Sequence, residues 1–200
     1  MKKILSFLIT NLILLTSLMA SEFVIEEYDF YAGIGASIET FTNHDIKTPG
    51  MALVLTAGVP IYKNTSFLEG VVGGEIEFSK SIVPMVGTGY LYEYEADYTN
   101  IGLYATYTYL LSDSFFIKPR FGVVYSSGDY KANGCSGFSC NINNQVDTGP
   151  TISLLGGYIL NDSADIVFGF NNIELSQNSN SSSSSSPRYF QVGISLFYHF

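Results

Sequence analysis

From Phe30 onward, the chain alternates apolar and polar side chains with a period of two, and the pattern is strictest at the C-terminal end. In the run 188–200, one face carries Phe190, Val192, Ile194, Leu196, Tyr198 and Phe200, and the other carries Tyr189, Gln191, Gly193, Ser195 and His199, with Phe197 as the apolar exception. Such a run predicts a β-strand. Chain ends of soluble domains are usually polar and frayed. An apolar face that reaches the last residue instead indicates a wall between lipid and a partly polar interior.

Seven earlier runs alternate in the same way, so the sequence predicts eight strands. They cover residues 30–39, 51–59, 68–78, 100–111, 115–126, 151–160 and 166–175. Each approaches the roughly 9–11 residues that a tilted strand needs to cross a bilayer. The seventh run changes phase after Asn171 and Asn172, and a bulge there would return Ile173 and Leu175 to the lipid face.

The links between the runs alternate between long and short. The long links are 40–50, 79–97, 127–148 and 175–187, and the short ones are 60–66, 112–114 and 161–164. Membrane barrels have short periplasmic turns and longer external loops, an alternation that a soluble sandwich has no reason to adopt. The predicted fold is therefore all-β: a single eight-stranded antiparallel up-and-down transmembrane β-barrel over residues 30–200, with both termini in the periplasm.

Aromatic side chains on the outward phase gather near the short links. They are Tyr107, Tyr109, Phe115, Tyr158, Tyr198 and Phe200. Rings at that height predict an interfacial girdle at the lipid headgroups. The alternative is that they form the core of a soluble sandwich.

The N-terminal segment predicts export. Lys2 and Lys3 precede an apolar run over 4–15, and cleavage after Ala20 would leave residues 21–29 as a periplasmic lead. This is the layout of a secretory signal peptide, and its apolar run is too short for a membrane-spanning helix. Its removal leaves seven basic residues against eighteen acidic ones, a net charge of −11. That charge argues against nucleic acid as a partner.

These features resemble the small eight-stranded outer-membrane barrel proteins of the OmpA, OmpX and opacity-protein type. The resemblance covers residues 30–200 and implies a location in the outer membrane of a Gram-negative bacterium, among its lipids and lipopolysaccharide. In that family the barrel-assembly machinery recognises a C-terminal strand that ends in Phe, and Leu196, Tyr198 and Phe200 match that signal. Family likeness assigns fold and location better than activity.

Charged residues fall on the inward phase of the strands. They are Glu39, Glu69, Glu75, Glu77, Lys118 and Arg120. They predict either a path for ions or a salt-bridged polar core. Because side chains fill the interior of an eight-stranded barrel, we favour the structural interpretation over a pore.

No constellation for catalysis or for a metal or other cofactor stands out. The two histidines, His44 and His199, fall in the first long link and near the opposite end of the barrel, so they are not expected to meet. His44–Asp45 could form half of an acid–base pair, but adjacent side chains on a loop are more often simply solvated. We therefore predict that the protein is not an enzyme.

The long links carry the remaining distinctive chemistry. Cys135 and Cys140 predict one small disulfide in an exported chain. Tyr90, Tyr92 and Tyr94 form an acidic-aromatic stretch that is either a contact surface or a strand extension above the membrane, and the period of two favours the extension. The polar tract 177–187 is either a shielding loop or a tolerated linker.

Three functions follow from this sequence. The first is a structural or surface-interaction protein that uses its external loops for adhesion, for contact with an extracellular ligand or host surface, or for envelope integrity. The second is a narrow channel for ions or small solutes. The third is a lipid-modifying barrel enzyme. We favour the first.

Overall fold

A computed structural model of the protein describes residues 30–41, 46–64, 70–88, 93–133, 142–174 and 188–200. The predicted signal peptide 1–20 and lead 21–29 lie outside these residues. The strands are β1 (Tyr31–Phe41), β2 (Ile46–Thr48), β3 (Gly50–Asn64), β4 (Gly70–Val83), β5 (Met85–Thr88), β6 (Glu93–Ser112), β7 (Phe115–Asn133), β8 (Ile142–Asn161), β9 (Ala164–Glu174) and β10 (Arg188–His199). No helix in this part of the chain is long and apolar enough to cross a membrane.

Eight of these strands form a closed antiparallel barrel, as the alternation predicted. Each long strand pairs with its neighbours along the chain, and β1 pairs with β10 from Tyr31 opposite His199 to Phe41 opposite Tyr189. The up-and-down barrel is therefore confirmed. Closure leaves no long unpaired edge between the first and last strands.

The two short strands lie at the end of the barrel that carries the long links, which we call its upper end. β5 follows β4 after Pro84 and pairs with β6, and β2 pairs with β5. The predicted loop boundaries were wrong here, because β4, β6, β7 and β8 continue into links 79–97 and 127–148. Inward apolar residues such as Tyr98 keep the period of two beyond the lipid-facing run, while outward residues such as Asp97 become polar. Such a pattern suits strands that extend past the hydrocarbon.

The barrel wall has unequal height. The short wall consists of β9, β10 and β1, with 11, 12 and 11 residues, and the tall wall of β6, β7 and β8, with 20, 19 and 20 residues. The strands are level at the short-turn end, where Tyr198 pairs with Ala164 and Phe115 with Tyr158. The tall wall therefore extends beyond the short wall at the long-loop end, by roughly 30 Å along its strands.

The outward face of the barrel is apolar. The exposed side chains of its middle band include Ile34, Ile38, Leu55, Ile76, Leu103, Phe121, Ile152, Phe168 and Ile194. Near the short turns, Phe115 and Tyr158 contact each other with ring centroids 4.9 Å apart, and Tyr198 contacts Phe200 at 5.1 Å. These four rings are exposed, as an interfacial girdle requires, whereas Tyr107 and Tyr109 are half-buried.

The predicted bulge after Asn171 and Asn172 is wrong. β9 stays in continuous register with β10 there, with Asn171 opposite Gln191 and Ile173 opposite Tyr189. Ile173 faces inward and is 1% exposed. The change of phase in the sequence therefore marks the point where the interior itself becomes apolar, so the strand needs no extra residue.

Inward-facing glycines lie beneath aromatic rings of the neighbouring strand. Four such pairs are in direct register: Gly33 with Phe197, Gly58 with Tyr31, Gly128 with Tyr98, and Gly157 with Phe116. A Cβ atom on Gly157 would lie 2.0 Å from the Phe116 ring, and one on Gly33 would lie 2.1 Å from the Phe197 ring. Rings that cover glycines in this way stabilise curved sheets.

The barrel interior as candidate functional site

Three layers of side chains fill the barrel interior. The lower apolar layer, near the short turns, contains Tyr31, Phe116, Leu155, Val167 and Phe197. The upper apolar layer, toward the long loops, contains Phe41, Met85, Ala96, Tyr98, Tyr104, Val124, Ile173 and Tyr189. A polar layer lies between them. Its members face inward because they alternate with the lipid-facing residues of the same strands.

Arg120 lies at the centre of the polar layer and is 1% exposed. Its Nη1 atom lies 2.9 Å from Glu75 Oε2 and 2.8 Å from Glu77 Oε2. Nε donates to Ser153 Oγ at 2.9 Å, and Nη2 donates to Asn171 Oδ1 at 2.7 Å. The guanidinium carbon also lies 4.2 Å from the centroid of the Tyr104 ring. Arg120 of β7 thus contacts side chains of four other strands, β4, β6, β8 and β9.

Lys118 carries the second buried positive charge. Its Nζ atom lies 3.0 Å from Glu75 Oε1 and 3.3 Å from the Tyr31 hydroxyl, over the Tyr31 ring. Tyr31 in turn donates a hydrogen bond to Glu75. We call Glu75, Glu77, Lys118 and Arg120 the ionic cluster. Its charges are paired and hydrogen-bonded, as buried charges must be.

Glu39 lies apart from this cluster. Its carboxylate accepts hydrogen bonds from Ser81 Oγ at 2.7 Å and from Gln191 Nε2 at 2.8 Å. Asn171 links the two groups, since its Nδ2 lies 3.0 Å from Glu77 Oε1 and 3.4 Å from Gln191 Oε1. Of the predicted interior charges, Glu69 lies outside the described residues. Sequence reasoning did not find the amide bridge of Asn171 and Gln191, although both residues fall on the inward phase of their strands.

Little open volume remains between these side chains. A cavity of about 40 Å³ lies beside Glu77, Arg120, Asn171 and Gln191. The buried Ser37 hydroxyl lines it and has no hydrogen-bond partner among the described residues. The volume suits a few water molecules rather than a continuous aqueous path.

A larger cavity, which we call the vestibule, opens at the short-turn end. It measures about 730 Å³, and its lining includes Tyr31, Lys63, Phe116, Lys118, Asp165 and His199. Tyr31 and Lys118 therefore separate the vestibule from the other three members of the ionic cluster, Glu75, Glu77 and Arg120. The volume falls within the range of about 300–1,000 Å³ that is typical of small-molecule sites.

A histidine and a carboxylate meet at the rim of the vestibule. His199 Nε2 lies 2.8 Å from Asp165 Oδ2, and the His199 backbone amide donates to Ser163 O at 2.9 Å. His199 lies near the short turns, where the sequence placed it, but the pairing with Asp165 was missed. Asp165 directly precedes the seventh run and shares its inward phase, which could have indicated this pairing. Among the described residues, no hydroxyl or thiol nucleophile lies within hydrogen-bond distance of this imidazole, and no group of three potential metal ligands occurs.

Some of the other predicted site residues lie in the described part of the chain, and the rest lie outside it. Leu196, Tyr198 and Phe200 point outward. Tyr94 lies within the backbone of β6, in agreement with a strand extension. His44, Tyr90, Tyr92, Cys135, Cys140 and the tract 177–187 lie outside the described residues.

The sequence matches no known family and no curated protein, but the structure resembles solved proteins. Neisserial surface protein A aligns with a TM-score of 0.61 and 12% identity, over 88% of this chain and all of that one. Ail, the attachment invasion locus protein of Yersinia pestis, aligns with a TM-score of 0.54 and 8% identity, over 86% of this chain and 97% of its own.

The outer membrane protein OprG of Pseudomonas aeruginosa is also similar, with a TM-score of 0.53 and 18% identity, over 86% of this chain and 95% of that one. At such identities the likeness concerns the fold alone. With its closed ring of eight antiparallel strands, filled lumen and apolar outer face, the chain has the fold of the small eight-stranded outer-membrane β-barrels.

Proposed function

We propose that the protein is an integral outer-membrane barrel with both termini in the periplasm, and that it acts through the surface at its long-loop end. The observation that carries this proposal is the combination of a filled lumen with a tall wall. The ionic cluster lies between two apolar layers, while β6, β7 and β8 extend beyond the short wall. Outer-membrane lipid and lipopolysaccharide would surround its apolar face, and the barrel-assembly machinery would insert it.

Two aspartates lie on the outer surface of the tall wall. Asp97 of β6 and Asp129 of β7 are exposed and directly opposite each other, and the whole chain has a net charge of −9. Ail has been solved in complex with the heparin analogue sucrose octasulfate, a polyanion. The acidic side chains on this wall and the negative net charge attract cationic groups, and we propose a basic extracellular ligand or host surface.

Neutralising the acidic pair is expected to weaken the binding of a cationic ligand. We would reconstitute the folded protein into phosphatidylcholine vesicles and titrate a fluorescent lysine-rich peptide. Asp97→Asn with Asp129→Asn should lower the affinity roughly threefold to tenfold, since each exposed charge contributes up to about 1 kcal/mol. The matched control is Asp113→Asn with Asp162→Asn at the short turns. Equal affinity for all three proteins would contradict a binding surface on the tall wall.

The filled lumen is expected to carry no steady ionic current. Purified protein in planar bilayers should remain silent at high protein load, because the ionic cluster and both apolar layers occupy the path. Sustained unitary openings would support the narrow channel instead. If openings occurred, a change in their ion selectivity upon Lys118→Met would place the conducting path through the polar layer.

A further inference from the structure

The vestibule has a positive charge at its floor. Lys118 lines the cavity and is 5% exposed. Its ammonium group has three N–H donors. Two of them have acceptors, Glu75 Oε1 at 3.0 Å and the Tyr31 hydroxyl at 3.3 Å, and no third acceptor lies within hydrogen-bond distance among the described residues. One donor of this lysine is therefore left for an acceptor that enters the cavity.

A second lysine lines the same cavity because β3 contains a bulge. In a regular strand, Lys63 would share the outward face with Leu53 and Leu55, which are exposed. The pairing of β3 with β4 shifts in register between Pro60 and Tyr62, and the extra residue reverses the phase of the strand. Lys63 therefore lines the vestibule near the short-turn end of β3, where its side chain is exposed.

The acidic side chains around the cavity already have partners or lie in solvent. Asp165 Oδ2 lies 2.8 Å from His199 Nε2. Glu75, beneath the floor, pairs with Arg120 as well as with the lysine above it. Asp162 lines the cavity at the exposed turn, where water and salt screen its charge. The inside of the vestibule therefore favours an anionic group over a cationic one.

The rest of the lining suits an apolar molecule. Val71, Leu110, Phe116 and Ile159 contribute to its wall. The floor lies three residues along β7 from Phe115 at the short turn, or roughly 10 Å at the rise of a strand. An apolar wall with a few placed polar groups is typical of a site for a small molecule, and burial of an apolar body against such a wall is favourable.

We propose that the vestibule binds a small amphiphilic carboxylate. The third N–H of Lys118 donates to the carboxylate at the floor, and the apolar body packs along Phe116 and Ile159 toward the mouth. Lys63 attracts the anion as it enters. This site lies at the opposite end of the barrel from the tall wall, so it does not depend on the binding surface proposed there.

Titration with para-fluorophenylpropionate and with its neutral amide tests the proposal. The folded protein in phosphatidylcholine nanodiscs would be titrated with each probe, and the fluorine NMR linewidth would be compared with that in empty nanodiscs. The carboxylate should bind roughly tenfold more tightly than the amide, because only the carboxylate forms a charge-assisted hydrogen bond with Lys118. Equal affinities, or tighter binding of the corresponding amine, would overturn the proposal.

Substitutions in the vestibule separate the charge of the site from its shape. Lys118→Met should remove most of the preference for the carboxylate. Lys63→Gln should lower the affinity for the carboxylate roughly twofold to fivefold, whereas the matched control Lys80→Gln, on the outward face of β4, should leave it unchanged. Thr108→Trp narrows the cavity and should weaken the binding of both probes. Unchanged binding in Thr108→Trp, or a full preference for the carboxylate in folded Lys118→Met, would contradict a site in the vestibule.

Discussion

Replacing Arg120 with leucine is expected to lower the free energy of unfolding by about 3–5 kcal/mol. The side chain is buried and pairs with both Glu75 and Glu77, so its loss leaves two carboxylates close together in the lumen without their shared counterion. Asn171 and Ser153 would also lose the donors that they now accept from.

The measurement is the fraction of folded protein across a urea series, read from the faster-migrating band in unboiled SDS gels. Arg120→Leu with Glu77→Gln should recover a large part of the loss, because the remaining carboxylate, Glu75, keeps Lys118 as its counterion. Lys118→Met is the matched control, and its smaller effect follows from the pairing of Glu75 with Arg120, which remains. A loss below about 1 kcal/mol for Arg120→Leu would contradict a central role for the ionic cluster.

An arginine at position 194 is expected to destabilise the barrel by about 2–4 kcal/mol in a lipid bilayer. Ile194 is exposed at the middle of β10, between Ala36 of β1 and Phe168 of β9, all on the apolar outward face. A charge there would lie in the hydrocarbon if the outward face spans the membrane. In water, the same substitution of an exposed isoleucine would have little effect.

The matched control places the same arginine at Asp97, also on the outward face but in the upper part of the tall wall. Asp97→Arg should change the stability by no more than about 1 kcal/mol, since charges near or beyond the interface are tolerated. The same urea series, in vesicles of defined thickness, compares the two. Equal losses in the free energy of unfolding at the two positions would contradict the placement of Ile194 in the hydrocarbon.

The period of two was sufficient to predict the eight strands, their antiparallel order and the inward position of Glu39, Glu75, Glu77, Lys118 and Arg120. It depends only on the alternation of faces, which a closed sheet with lipid outside imposes on every strand. The strand ends were less predictable. Toward the long-loop end, outward residues such as Asp97 become polar, so β6 and β7 continue where the apolar signal stops.

The contacts within the lumen could not be predicted from the sequence, because they join residues that are far apart along the chain. Arg120 meets Asn171, and Glu39 meets Gln191, through the curvature and stagger of the barrel rather than through spacing along the chain. Ile173 shows the same difficulty. Its apolar character led to the prediction that it faces lipid. The interior near the long loops is itself apolar, however, and Ile173 packs there with Phe41 and Tyr189. The sequence alone does not reveal that apolar layer.

The glycine–aromatic pairs give the barrel a means of rejecting mispaired strands. If β7 slid by two residues against β8, the ring of Phe116 would oppose Leu155 or Ile159 instead of Gly157. The same slip between β6 and β7 would bring Tyr98 against Ser126 or Tyr130 instead of Gly128. A shift of two residues keeps every side chain on its proper face, so the alternation alone cannot penalise it. Only a glycine leaves room for the opposing ring, so each ring fits in one register. The glycine–aromatic pairs therefore penalise register shifts of two residues, which the alternating pattern does not.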